Sequence, residues 1–129
     1  MSNFHTLPEI VRAMAAKAAQ STSAAPVKPL ARGEFMGAAV VRGDGGLHRQ
    51  PDHEELLVVL DGEGDFRVAD EVRHIRPGDF VFVPRDAIHG TVATQHGPIA
   101  LLAIIAPKFD LAKDVVWEKG AEPPRFAVV

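Results

Sequence analysis

An all-β barrel preceded by a single α-helix is the fold this sequence predicts, and three observations predict it. From Gly33 onward, runs rich in Val, Ile, Leu and Phe recur at about ten-residue spacing, the pattern of a sandwich or closed barrel. Between the runs stand corners of glycine, proline and aspartate, such as Arg76-Pro77-Gly78-Asp79 and Pro84-Arg85-Asp86. Ahead of them lies a single stretch with helical periodicity. At 129 residues the chain is one domain with room for a real core, and 47% hydrophobic with 24% charged residues is a soluble globular composition.

The helix comes first. Thr6-Leu7-Pro8-Glu9 has the form of a capping box, with Pro8 in the tolerant first turn. Leu7, Ile10, Val11, Met14 and Ala18 follow at helical spacing, predicting an amphipathic structural helix over 7–20. The small, polar, proline-punctuated stretch 21–29 then reads as a linker. The division expected is therefore helix and linker over 1–29 and a β-domain over 30–129.

Strands are predicted over 34–41, 56–60, 65–68, 72–75, 80–83, 91–94, 99–105 and 115–117. Gly43-Asp44-Gly45-Gly46 and Asp61-Gly62-Glu63-Gly64 read as turns. The second is acidic, no lysine follows it and no helix comes after it, so a hairpin is expected rather than a phosphate loop. Pro123-Pro124 predicts an extended surface segment. Side chains alternate along a strand, so Glu55, Leu57 and Val59 share one face. Phe80 and Phe82 oppose Val81 and Val83, and whichever pair points inward lines a narrow apolar pocket. Phe66, Phe80, Phe82 and Trp117 are expected in the core.

Several classes fall away on composition. A net charge of −3 without a Lys/Arg cluster excludes a basic nucleic-acid footprint. With no cysteine there is no disulfide, thiolate zinc site or cysteine nucleophile. All three serines lie in the first 23 residues, away from any nucleophile elbow. No apolar run reaches the roughly 18 residues of a spanning helix. Glu9, Arg12 and Lys17 interrupt the Ala-rich start, unlike a secretory signal, so a cytoplasmic protein with no membrane partner is expected.

The chemistry-bearing residues concentrate in the block 48–89. His48 and Gln50 are two apart and converge on one side of an extended chain, about 6.6 Å apart at roughly 3.3 Å per residue. Glu55 adds a carboxylate from the neighbouring strand, and His89 follows a second strand and a proline turn. Two neutral imidazoles and a carboxylate suit a divalent transition metal. Glu55, facing inward among apolar residues, is costly to bury without a metal or an imidazolium partner. His5, His74 and His96 are expected at the surface with no role.

These residues resemble the cupin superfamily of small double-sheet β-barrels over roughly residues 33–107. The family's first motif joins a glycine to His-x-His, a glutamate and a second glycine. His48 takes the first histidine position, and Glu55 and Gly62 have the six intervening residues required. The second motif is matched by Gly78, Pro84 and His89 without a gap. Gln50 stands where the second histidine is expected, Asp86 replaces a glycine and Ala93 an asparagine. Gly45 and Gly46 also lie closer to His48 than the pattern asks.

The resemblance implies a cupin-like double-stranded β-helix (jelly-roll) barrel and a metal centre of His48, Gln50, Glu55 and His89. An amide oxygen is a weaker ligand than imidazole, and His53, two residues before Glu55, is the alternative to Gln50. The metal would be iron, manganese, nickel, copper or zinc, with Glu55 as catalytic base only if it is not tied to that metal. The expected function is a metal-dependent enzyme on a small organic molecule, of oxygenase, isomerase or lyase type. The competing expectation is a non-enzymatic small-ligand-binding module with a weakened or absent metal site. The resemblance also implies a homodimer.

Overall fold

The computed structural model describes residues 2–20, 24–43, 46–121 and 125–129. Helix α1 (Leu7–Gln20) is followed by nine strands: β1 (Ala24–Arg32), β2 (Gly37–Arg42), β3 (His48–Arg49), β4 (Glu54–Val68), β5 (Glu71–Ile75), β6 (Phe80–Val83), β7 (His89–Ala106), β8 (Val116–Trp117) and β9 (Arg125–Val128). The fold is all-β with one N-terminal helix, as the sequence predicts.

The helix runs over the expected residues. The N–H groups of Glu9 and Ile10 donate to the Thr6 carbonyl at 3.1 and 3.2 Å, which makes Thr6 the N-cap. Its apolar stripe buries Met14 against Leu30 and Val40, with Leu7 and Ile10 alongside. These contacts lie on the outer face of the sheet. Val40, completely buried under the helix, is thereby turned away from the cavity, and Ala39 and Val41 face inward.

The strands follow the order β5-β4-β7-β2-β1-β9, with β6 on β4 and β3 on both β7 and β8. Antiparallel pairing aligns inward residues in rows across the sheet. One row is Pro29, Ala39, Ala103, Leu57 and Val81; the next is Gly37, Ile105, Glu55 and Val83. The interior cluster includes Leu57, Val59, Phe66, Ile75, Val83, Ile99 and Leu101. Glu55 thus enters the interior in register with apolar neighbours.

Five local expectations are corrected. Residues 24–29, read as linker from their prolines, belong to β1; residues 21–23 lie outside the described residues. β1 tolerates Pro29 because its register with β2 slips between Pro29 and Ala31, where a proline is accommodated. Its other edge pairs in parallel with β9, a strand the sequence did not signal.

The hairpin at Asp61-Gly62-Glu63-Gly64 is not a reversal. β4 runs through it, and the predicted strands 91–94 and 99–105 likewise join as β7. The two long strands pair along most of their length, with slips between Val59 and Asp61 and between Asp61 and Glu63. Gly62 has φ 80°, and a Cβ at Gly64 would collide with the backbone of Ala93 and Thr94. The glycines serve a bend and a close strand crossing, and a bulge uses the same residues as a turn.

Phe80 and Phe82, expected in the core, are 62% and 46% exposed. Val81 and Val83 are the inward pair, because they oppose the inward Leu57 and Glu55 across the β4–β6 ladder. Trp117, also expected in the core, lines the cavity instead.

Asp44, Gly45 and the Pro123-Pro124 segment lie outside the described residues. Among the described residues, no helix is long and apolar enough to cross a membrane.

Candidate functional site

His48 on β3 and His89 at the start of β7 are direct register partners. Their ring centroids are 4.3 Å apart with planes inclined at 55°. Each ring is held by the carbonyl two residues before it. His48 Nδ1–H donates to Gly46 O, and His89 Nδ1–H donates to Ala87 O, both at 2.9 Å. A carbonyl oxygen only accepts, so in each neutral ring Nδ1 carries the proton and Nε2 the lone pair. Metal-ligating histidines are commonly oriented by such a bond.

Glu55, on β4, brings its Oε1 to 3.1 Å from His89 Nε2. The two atoms are not aligned as a hydrogen bond, and His89 Nε2 is buried without a hydrogen-bond partner. His89 is 1% exposed and Glu55 6%. Two lone-pair atoms of buried residues therefore face each other, an arrangement that calls for a proton, a cation or a ligand donor between them.

Gln50 follows β3, and its main-chain carbonyl accepts from the N–H groups of His53 and Asp86 at 3.3 and 3.0 Å. These bonds close the turn at Pro51-Asp52 and tie it to the β6–β7 corner. The side chain is buried, and its Oε1 has no hydrogen-bond partner. His53 is buried too. Its Nε2–H donates to Lys108 O at 2.9 Å, with Asp114 Oδ2 at 3.9 Å and the Phe109 ring edge-on at 5.3 Å. That leaves the lone pair on Nδ1, which is also buried without a partner.

His48, Gln50, His53, Glu55 and His89 all line one cavity of about 910 Å³. Within it, the structure packs His48 against His89 and His89 against Glu55, while Gln50 and His53 contribute unpaired acceptors to the wall. Among the described residues, no three His, Asp or Glu side chains stand close enough together to hold a metal ion. The donor types still fit a divalent first-row cation: imidazole nitrogens, a carboxylate and an amide oxygen. Two of those atoms, His89 Nε2 and Gln50 Oε1, are buried without a hydrogen bond.

Two parts of the site were not placed there by the sequence reading. Trp117 packs on His48 with ring centroids 4.8 Å apart, because β8 pairs with β3 from far downstream in the chain. The segment 107–115 roofs the cavity and is tied to its wall through His53. Its 110–114 turn is closed by Asp110 N–H donating to Asp114 Oδ2 at 2.6 Å and Ala112 N–H donating to Asp110 Oδ1 at 2.9 Å. Below the site, Arg49 donates to Asp86 Oδ1 at 2.6 Å and lies 3.8 Å from Glu118. The bond to Asp86 holds the guanidinium pKa above its ordinary value. His74, expected to be idle, lies between Asp65 and Glu63 outside the cavity.

A cupin-domain family model matches residues 39–105, just over half of the chain. This chain is a cupin. A curated relative, an uncharacterised protein of Aquifex aeolicus, is 33% identical over 69 residues; the match covers 54% of the cupin described here and 55% of that relative. The TT1209 protein from Thermus thermophilus is similar in structure, with TM-score 0.66 and 23% identity over 82% of this cupin and 98% of that chain. A double-stranded β-helix protein from Klebsiella pneumoniae gives TM-score 0.67 at 18% identity over 95% and 99% of the two chains. At these identities the two solved structures speak for the fold.

Proposed function

We propose that this cupin binds a divalent transition metal through His48, Gln50, Glu55 and His89 and acts on a small organic molecule in the cavity above it. The observation that carries the reading is the approach of His89 Nε2 to Glu55 Oε1, 3.1 Å apart, buried and not hydrogen-bonded. A cation satisfies both atoms at once, and Gln50 Oε1 is a third acceptor in need of a partner. Bound there, the metal would supply Lewis-acid polarisation of a ligand oxygen or hold dioxygen beside the ligand.

The chain's own residues do the rest. The Gly46 and Ala87 carbonyls fix the two imidazoles in the tautomer that presents Nε2. Trp117 packs on the His48 ring and Phe66 lies beside the His89 ring, at centroid distances of 4.8 and 6.4 Å. Glu55 moves a proton only through an oxygen it does not give to the metal. Oxygenase, isomerase and lyase chemistry all fit these roles.

A second reading, a non-enzymatic small-ligand-binding cupin, is favoured by the neutral amide at Gln50 and by the lack of a three-residue His/Asp/Glu centre among the described residues. Gln50→His separates the two. Under the metalloenzyme reading, the variant tightens nickel or zinc binding by about tenfold or more, measured by titration, and turnover changes with it. A variant with unaltered metal affinity removes Gln50 from the ligand set, and one that binds no metal at all favours the second reading.

A cytoplasmic homodimer belongs to the same proposal. Sedimentation of the purified protein should give twice the 13.9 kDa chain mass, and a monomer at every concentration contradicts it.

A further inference from the structure

We infer that the cavity takes an amphiphilic molecule, with a hydroxyl-bearing head at the floor and an aliphatic or aromatic body in an apolar arm beneath β1 and β2. The placement of the head rests on the pocket floor proposed above; the arm does not depend on a metal being bound.

The arm originates in the sequence of β2 and β7. Inward positions there hold Gly37 and Ala39, facing Ile105 and Ala103 across the ladder. Ala39 is flanked on its other side by Pro29. A row in which consecutive side chains are Pro29, Ala39 and Ala103 cannot fill the space in front of it, and a cavity of about 910 Å³ results. That volume is near the upper end for a small-molecule site, roughly 300–1,000 Å³. A few donor atoms at the floor need only a fraction of it. Val27, Val41 and Phe126 continue the wall. None of these side chains offers a hydrogen bond, so water in the arm is poorly held and an apolar body replaces it favourably.

The floor states the complementary requirement. With Gln50 Oε1 given to the metal, His53 Nδ1 remains as a buried acceptor without a partner. Lys108 O fixes the His53 tautomer, so its Nδ1 accepts and does not donate in the neutral ring. What His53 Nδ1 lacks is a donor, and a ligand hydroxyl supplies one. Leaving such acceptors unpaired is costly, which makes the donor a determinant of specificity.

The test uses chelator-treated protein, so that the fate of the metal reading does not affect it. Linear alcohols from 1-butanol to 1-decanol are titrated while the fluorescence of Trp117, the single tryptophan, reports from the cavity wall. Affinity is expected to rise about threefold to fourfold per methylene until the arm is full. Ala39→Leu and, independently, Ala103→Leu should truncate that rise while leaving 1-butanol unaffected. Hexan-1-ol should bind at least about fivefold more tightly than dipropyl ether, which has the same atoms but no donor. A flat chain-length series in the wild-type protein overturns the arm, whatever the variants do. An ether that binds as well as the alcohol overturns the assignment of the head. Failure of nickel or zinc to bind in a separate titration bears only on the metal reading.

Discussion

Asp86 stands at a corner where its backbone is left-handed, with φ 66°. A glycine would sit there without strain, and Asp is among the few other residues that tolerate it. The position is held by the bond from Arg49, which also reaches Glu118 and so connects β3, the β6–β7 corner and the segment after β8. Asp86→Gly is expected to change stability by no more than about 1 kcal/mol, because backbone relief opposes loss of a half-exposed ion pair. Asp86→Val should cost about 1–2 kcal/mol, since a β-branched residue is strained at positive φ. Chemical denaturation of the two variants checks both values, and equal losses would contradict the backbone account. At this scale the sequence was most informative where spacing was fixed. His48, Glu55 and His89 stood out by their separations; the structure packs His48 on His89 and brings Glu55 to 3.1 Å from His89, but among the described residues it gathers no three such side chains closely enough to hold a metal ion. Trp117 was not legible, because its place beside His48 depends on a two-residue pairing between distant segments. The roles of Gln50 and His53 were left open in sequence. They stay distinct in the structure, one tied to the β6–β7 corner and the other to the roof segment.

At the scale of elements, β4 and β7 determine the molecule. Their glycines permit a continuous crossing where turn chemistry predicted a hairpin. That failure has a general cause: Gly-rich acidic tetrads serve bulges and reversals alike, and only tertiary pairing chooses. Proline at a register slip misled the reading of β1 in the same manner. The outer edge of β4 is pinned to β5 by His74, whose Nε2 lies 2.7 Å from Glu63 Oε2 and whose Nδ1 lies 3.0 Å from Asp65 Oδ1. The bonds to Glu63 and then to Asp65 raise the imidazole pKa. Glu63 is lowered, chiefly by the same bond, with Arg76 and His96 adding smaller attractions.

These two shifts fix the sign of the pH dependence. His74 binds its proton more tightly folded than unfolded, so its stabilisation is complete below about pH 6.5 and is lost as pH rises through the raised value. The Glu63 contribution is present above about pH 4.3 and is lost as pH falls through its lowered value. Melting temperatures of wild type and His74→Gln should therefore differ most between about pH 5 and 6.5 and converge toward pH 9. A difference that stays constant across that range would mean the clamp contributes nothing through charge.

At the scale of the whole molecule, the sheet carries the helix on one face and, on the other, a cavity of about 910 Å³ whose β1–β2 wall is built of small residues. Fold class was legible because strand spacing and corner residues recur along the whole chain. The cavity's size was not, since it depends on which of two alternating faces turns inward, and Val40 under the helix decides that for β2. The floor then follows from register: Glu55 shares a row with Gly37 and Ile105, and β3 brings His48 to His89. Whether a metal belongs on that floor decides between an enzyme and a binding module.

Metal content by mass spectrometry settles this, on protein purified without an affinity tag or chelator, beside His89→Ala. The metalloenzyme reading predicts near-stoichiometric iron, manganese, nickel, copper or zinc in the wild type and its loss from the variant. Wild-type protein that is empty, and stays empty after incubation with each of these ions, would contradict it and leave a ligand-binding cupin.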